Sequence, residues 1–296
     1  MLPVDWLRPF EGLWAAERRL APSTTWRIGG PAELWLEPTS PEQLAALVAE
    51  FWRRGIHWRI LGGGSNLLVP DSGVRGAVVS LRRMQRIDID GDRLVAEAGA
   101  PLHHVVHRAQ QAGLSGVECL AGIPGHVGGA VFGNAGGRYG DIGSRVERID
   151  VVGARGEREE ILLPAGSGFF AYRASLIGDR IVVRARLRLS TGEPAAIRGE
   201  TLRIIRERRS SQPGWVGNAG CVFKNPPGHS AGRLIDLSRL KGTRVGGIFV
   251  SPIHANFFEN AGGGKAEDVA RLVDVVQQRV QREHGVDLEM EVRRWA

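Results

Sequence analysis

Two glycine-rich runs set the strongest limit on what this chain can fold into. The first is Leu61-Gly62-Gly63-Gly64-Ser65-Asn66-Leu67-Leu68-Val69; the second, from Leu120 to Gly140, reads LAGIPGHVGGAVFGNAGGRYG and holds eight glycines. Glycine inside a helix or strand costs about 0.5–1 kcal/mol relative to alanine, so it concentrates where the backbone needs φ > 0 or must lie against something. Simple tight turns would also use glycine, but aliphatic residues rather than solvated polar ones flank both runs. Two bare-backbone loops of this kind imply a large, flat, phosphate-bearing cofactor held mostly by main-chain N–H groups. Neither run is a Walker loop, because no Gly-Lys-Ser/Thr follows. Neither opens a long helix as a dinucleotide-binding fingerprint would.

The 41 glycines among 296 residues are nearly double the ~7% average. Their place in apolar loops argues against disorder. The length predicts two or three compact units. A net charge of +7 would suit nucleic acid, but the arginines are scattered among Glu and Asp with no basic block, so an anionic small molecule suits the balance equally well. Two cysteines, Cys119 and Cys221, are too few for a secreted disulfide scaffold. The stretch from Met1 to Arg8 lacks a basic segment followed by an apolar one, and no run is long enough to span a membrane, so a cytoplasmic location is expected.

The pattern along the chain is α+β. Trp6, Phe10 and Trp14 recur at four-residue spacing in an amphipathic lead-in. Pro41 to Arg54 reads as a helix that Gly55 stops, and 101–113 as a second. Strands are expected at 58–61, 67–69 and 77–80, then hairpins at 86–90 with 93–98 and at 149–152 with 161–163, and a long strand at 180–189. Composition shifts at Ser190-Thr191-Gly192-Glu193-Pro194. Helices at 195–208, 230–240 and 265–284, with strands at 256–259 and 288–293, complete the chain. The expected divisions are 1–80, 81–190 and 191–296.

Four further segments carry chemistry. Thr25-Trp26-Arg27-Ile28-Gly29-Gly30 offers Arg27 to a phosphate, or is only a loop with a solvated arginine. Phe169-Phe170-Ala171-Tyr172-Arg173 sets an arginine among aromatics that can orient it. Gly217-Asn218-Ala219-Gly220-Cys221 holds a thiol between turns, as an acid or nucleophile or as an ordinary buried cysteine. In a strand over Leu288-Glu289-Met290-Glu291, the two carboxylates share one face. His103 and His107 share a helical face, but no Glu lies between them in the HExxH manner and neither cysteine has metal-like spacing, so no metal is expected.

Taken in order, TTWRIGGPA, LGGGSNLLV, AGIPGHVGGAVFGNAGGRYG, FAYRAS, GNAGCVFKNP and the closing LEMEVR resemble the UDP-N-acetylenolpyruvoylglucosamine reductases, of the shorter subclass. The resemblance runs from about Thr24 to Arg293 and implies a two-part FAD-binding region of the vanillyl-alcohol-oxidase type, followed by a C-terminal α+β substrate domain. It further implies noncovalent FAD, since the first glycine loop lacks the histidine that tethers flavin in many oxidases of that superfamily. NADPH would be the reductant and the enolpyruvyl ether of UDP-N-acetylglucosamine the substrate, in the synthesis of a peptidoglycan precursor.

By motif match, the flavin would be held by Arg27, by Gly62, Gly63, Gly64, Ser65, Asn66 and Leu67, and by Gly122, Ile123, Pro124, Gly125, Gly128, Gly129 and Ala130. Tyr172, Lys224 and Asn225 would meet the substrate. Arg173, Glu291 and Cys221 would be catalytic: a fixed cation for an enolate-like state, a group managing the acid-side proton, and the donor to C2. The family's commonest donor is serine; Cys221 replaces it with a group of pKa about 8.5, a better acid that is still mostly protonated at neutral pH. His126 stands where small or hydroxyl residues are usual. The competing readings are a noncovalent FAD oxidase or dehydrogenase of the same superfamily and a basic nucleic-acid-binding protein.

Overall fold

The computed structural model describes residues 5–214 and 216–295; the reading of the first four residues lies outside them, as does Trp215. The helix Pro41–Arg54 forms where its end signals sit. Ser40 accepts from the Gln43 N–H at 3.2 Å, Pro41 fills the first turn, and Gly55 closes it at φ 63°. Its apolar stripe, Leu44, Leu47, Val48 and Phe51, is buried. Helix Ala266–His284 is closed at its start by Asp268, which accepts from the Lys265 N–H at 3.0 Å, and at its end by Gly285 at φ 67°.

Contacts divide the chain into two units. The first comprises residues 1–15, 34–63 and 76–208; the second comprises 16–33, 64–75 and 209–296. The first unit contains a five-stranded antiparallel sheet in the order Arg158–Leu162, Val146–Val152, Ile181–Arg188, Arg93–Glu97, Ile87–Asp90. One apolar cluster, including Leu94, Val105, Val131, Ile149 and Leu187, packs there. A second cluster in the same unit joins Leu7, Phe51, Val79 and Val183. Trp58–Leu61 pairs in parallel with the Ala77–Ser80 part of strand Val74–Ser80.

The second unit has its own core around Trp26, Phe223, Phe258, Leu272 and Val276. Its antiparallel sheet runs Arg244–Val245, Ile248–Val250, Phe258–Asn260. The parallel pair Arg293–Arg294 with Leu67–Leu68 ties the chain's last segment to the segment after the first glycine loop.

The structure departs from sequence expectation at several places. The lead-in is a 3₁₀ helix over Asp5–Phe10, and Trp14 begins a strand instead of extending that face. Pro31–Leu36 is a strand that the periodicity did not single out. Part of the second glycine run is helical, at Val127–Phe132. The expected strand at 288–293 is mostly absent as a regular element: one bridge, Phe223 with Met290, precedes the short strand Arg293–Arg294.

Candidate active site

The first unit brings the glycine loops together. A Cβ on Gly63 would lie 2.8 Å from the Cα of Gly125, closer than any side chain tolerates, so the two main chains pack directly on each other. Beside this contact, a Cβ on Gly62 or Gly129 would meet no atom within 4 Å. Bare backbone therefore borders open space on both runs, as a main-chain cradle requires. The second run is anchored from behind: Leu102 donates to Gly125 at 3.0 Å, Val127 to Ala100 at 2.9 Å and Gly128 to Ala98 at 2.8 Å. Arg208 braces the Gly122 turn by donating to the Cys119 carbonyl at 3.1 Å. The Nδ1 of His126 is a buried polar atom with no hydrogen-bond partner, and burial first, then His103 and Arg82, lowers the pKa of its ring. An orphaned polar atom beside a glycine cradle fits a polar ligand such as FAD.

Arg173 belongs to the same unit. It sits with Tyr172 in the two-residue connection of a short hairpin, Phe170–Ala171 with Ala174–Ser175. Its φ of 55° is a left-handed conformation that a non-glycine residue holds only when its surroundings enforce it. Its guanidinium donates to the Gly136 carbonyl at 2.9 Å and lies 5.4 Å from the centre of the Tyr172 ring. Tyr172 itself is 56% exposed, open to a ligand.

The second unit gathers Arg27, Gly64–Leu67, Cys221, Lys224, Asn225 and Glu291. The loop 24–30 is held by Trp26, fully buried, whose indole N–H donates to the Phe258 carbonyl at 2.9 Å. Arg27 follows at φ 60° and is exposed. Thr25 donates to Gly64 at 3.1 Å and accepts from Gly217 at 2.8 Å, so one residue links the first glycine loop to the segment before Cys221.

Cys221 lies half-buried on a strip whose main chain is paired on both sides. It bridges Phe257, and Val222 donates to Asn256 at 2.8 Å. On the other side Lys224 donates to Glu289 at 2.9 Å and Glu291 donates to Val222 at 2.8 Å. Val292 donates to the same Val222 carbonyl at 3.4 Å. Two residues facing one is a β-bulge, which interrupts the two-residue alternation and re-aims a side chain. No regular strand forms over this segment, but the bulge begins only at Glu291: Glu289 and Glu291 flank the Phe223–Met290 bridge with the alternation between them intact. Glu289 is exposed and pairs with Lys224 Nζ at 2.6 Å, whereas Glu291 is half-buried and its carbonyl accepts from Asn66 Nδ2 at 3.2 Å. Asn225 uses its Oδ1 to accept from the Ala231 N–H at 3.0 Å, at the start of helix Ala231–Leu237.

Sequence reasoning missed two buried asparagines. Asn134 ties down the Arg173 hairpin. Asn256 donates to the Phe223 carbonyl at 2.8 Å and accepts from its N–H at 2.9 Å, reading that residue as a neighbouring strand would. Asn134 had a weak signal, as a turn-tolerant residue inside a glycine run; Asn256 had none. Among the described residues, no group of three or more His, Cys, Asp or Glu is placed to hold a metal ion, and no helix is long and apolar enough to cross a membrane.

Two family models match the chain. One, described as the C-terminal domain of UDP-N-acetylenolpyruvoylglucosamine reductase, covers residues 212–295; the other, an FAD binding domain, covers 32–161. The chain is 44% identical over 277 residues to the UDP-N-acetylenolpyruvoylglucosamine reductase of Moorella thermoacetica, spanning 93% of this chain and 91% of that protein. It is 42% identical to the enzyme of that name from Rubrobacter xylanophilus, covering 91% of each. The crystal structure of UDP-N-acetylenolpyruvylglucosamine reductase from Thermus caldophilus matches with a TM-score of 0.81 and 40% identity, over 96% of this chain and 98% of that one. A variant of berberine bridge enzyme, a reticuline dehydrogenase, shares the fold alone, with a TM-score of 0.51 and 16% identity over 63% of this chain and 43% of that one.

Proposed function

The chain belongs to the UDP-N-acetylenolpyruvoylglucosamine reductase family and carries its FAD-binding domain, and from that premise we propose that it reduces the enolpyruvyl ether of UDP-N-acetylglucosamine to UDP-N-acetylmuramate. NADPH is the reductant in this reading, the compartment is the cytoplasm, and the product feeds peptidoglycan synthesis and so cell shape and division. Gly62–Leu67, Gly122–Ala130 and Arg27 would hold FAD, which would supply the hydride for the terminal vinyl carbon. Residues 1–80 and 81–190 serve it, and 191–296 serve the substrate.

The chain's own residues manage charge and proton. Hydride addition to the terminal carbon develops negative charge on C2 and the carboxylate. Arg173, with its orientation set before substrate arrives, offsets that charge without reorganising. The Cys221 thiol gives its proton to C2, completing a CH3–CH unit, and the thiolate is recharged from solvent. Glu291 manages the proton on the carboxylate side. Lys224 and Asn225 bind the enolpyruvyl carboxylate or the diphosphate, and Tyr172 packs on the substrate. The observation that carries this reading is the Val222 carbonyl. Because it accepts from Glu291, the segment after the donor and the segment of the carboxylate run side by side.

The purified protein should be yellow, bleached by NADPH and recoloured by the enolpyruvyl substrate. Recolouring by oxygen alone, with no response to that substrate, would favour an oxidase of the same superfamily. A colourless protein with steeply salt-dependent affinity for DNA would remove the flavoenzyme reading altogether.

A further inference from the structure

We infer that Asn134 is the positioning residue that fixes Arg173 for the reaction; this rests on the reading of Arg173 as the cation facing the developing carboxylate charge. Asn134 is 4% exposed. Its Nδ2 donates to the Ala171 carbonyl at 2.9 Å, and its Oδ1 accepts from the Gly143 N–H at 2.9 Å. Ala171 pairs with Ala174, so the tie falls on the rung that directly flanks Tyr172 and Arg173. In return, Arg173 reaches back to Gly136, two residues beyond Asn134. The two segments thus brace each other with one side chain apiece. A third tie, Ser175 Oγ to the Phe132 carbonyl at 2.7 Å, holds the hairpin's outgoing strand.

The chemistry of the carboxamide is specific here. One group must donate to a carbonyl and accept from an N–H, and aspartate supplies two acceptors instead. Asn134 also holds φ 44°, which asparagine tolerates better than most residues. The space around it is closed: a Cβ on Gly143 would lie 2.7 Å from Asn134 Oδ1 and 2.5 Å from Phe170 Cγ. This brace opposes relaxation of the strained turn at Arg173.

The test separates the two half-reactions of the FAD-loaded enzyme under anaerobic conditions. Asn134→Asp removes one donor at nearly constant shape. Asn134→Gly removes both bonds without φ strain, so folding does not hang on a single variant. In both, FAD dissociation constants and flavin bleaching by NADPH should stay within about threefold of wild type. Flavin recolouring by the enolpyruvyl substrate should slow about tenfold to a hundredfold, the size expected when a charged group shifts by about an ångström. Equal slowing of both half-reactions, or loss of FAD binding in both variants, would assign Asn134 a purely structural part and overturn the inference. Wild-type recolouring would also overturn it. Arg173→Ala is the control: if it recolours normally, the reading of Arg173 has failed; if it is slow while both Asn134 variants are normal, only the positioning role has failed.

Discussion

The two units hold their reactive groups by different means. In the second, Cys221 and Glu291 sit on main chain whose neighbours are fixed by a ladder: Val222 to Asn256, Lys224 to Glu289, Glu291 to Val222. In the first, Arg173 sits on a two-residue turn at positive φ, pinned by the side chains of Asn134 and Ser175 and by its own guanidinium. A ladder positions a short side chain through its Cα, and substitution of that side chain leaves the geometry standing. A strained turn with a long side chain depends on particular partners. The thiol and carboxylate should therefore tolerate conservative exchange, and the guanidinium should not.

The largest expected effect tests the tolerant half. Cys221→Ser keeps a donor on an unchanged main chain and should retain flavin recolouring within about tenfold. Cys221→Ala should lose about 10²–10⁴-fold, the usual weight of a positioned proton donor. Rapid-mixing absorbance at the flavin band reads both. Equal rates for serine and alanine variants would remove the thiol from the reaction and leave the second unit without its donor.

The next effect is on stability. Asn256 is 2% exposed, and its carboxamide satisfies both main-chain groups of Phe223. Asn256→Ala leaves a buried N–H and a buried carbonyl without those bonds, at about 1–3 kcal/mol each. Thermal or denaturant unfolding should show a loss of about 2–6 kcal/mol, with Cys221 chemistry impaired as a consequence. A loss below about 0.5 kcal/mol, the range of an ordinary surface substitution, would mean that the ladder holds itself and needs no side-chain clamp.

What could be read in advance follows this same division. Helix Pro41–Arg54 was legible because its stop and start signals are local, and the need for glycine at 63 because a Cβ there would lie 2.8 Å from the Gly125 Cα. The ordered motifs named the family. The clamps were illegible because Asn134 and Asn256 bond main-chain atoms 37 and 33 residues away, and a main-chain partner leaves no mark on the sequence. The bulge at Glu291 and Val292 was illegible for a related reason: it is set by the Val222 carbonyl across the strip rather than by neighbouring residues. Nothing about an arginine announces φ 55°.

Within the first unit, two adjacent glycines distinguish packing from ligand binding. Gly63→Ala forces a Cβ into the Gly125 main chain and should destabilise the fold by about 1–3 kcal/mol, as overpacking does. Gly62→Ala meets open space, so thermal stability without flavin should be nearly unchanged while FAD affinity falls. Titration of flavin into the apoprotein decides this. Unaltered affinity in the Gly62 variant would mean that the open space beside it is not where FAD lies, and the cradle would have to be drawn elsewhere on the two loops.

The smallest effect concerns acid. Each unit carries a histidine whose pKa is lowered chiefly by burial, His126 in the first and His254 in the second. The folded state prefers the neutral ring in both. Above the unfolded value of about 6.5 their contribution to stability is fully present; below it the unfolded chain takes up a proton first, and stability falls with pH until the folded-state pKa is reached. The two should differ in kind. His254 Nδ1 accepts from the Asn256 N–H at 3.2 Å, so its protonation also breaks a bond on the residue that clamps Phe223, whereas His126 Nδ1 has no such bond to lose. Acid should loosen the thiol's strip before the glycine cradle. Hydrogen exchange between pH 7 and 5 should show Val222 and Phe223 amides losing protection ahead of Val127 and Gly128. His126→Thr should flatten the stability profile of the apoprotein only slightly, and a larger flattening than that from His254→Gln would reverse the ranking.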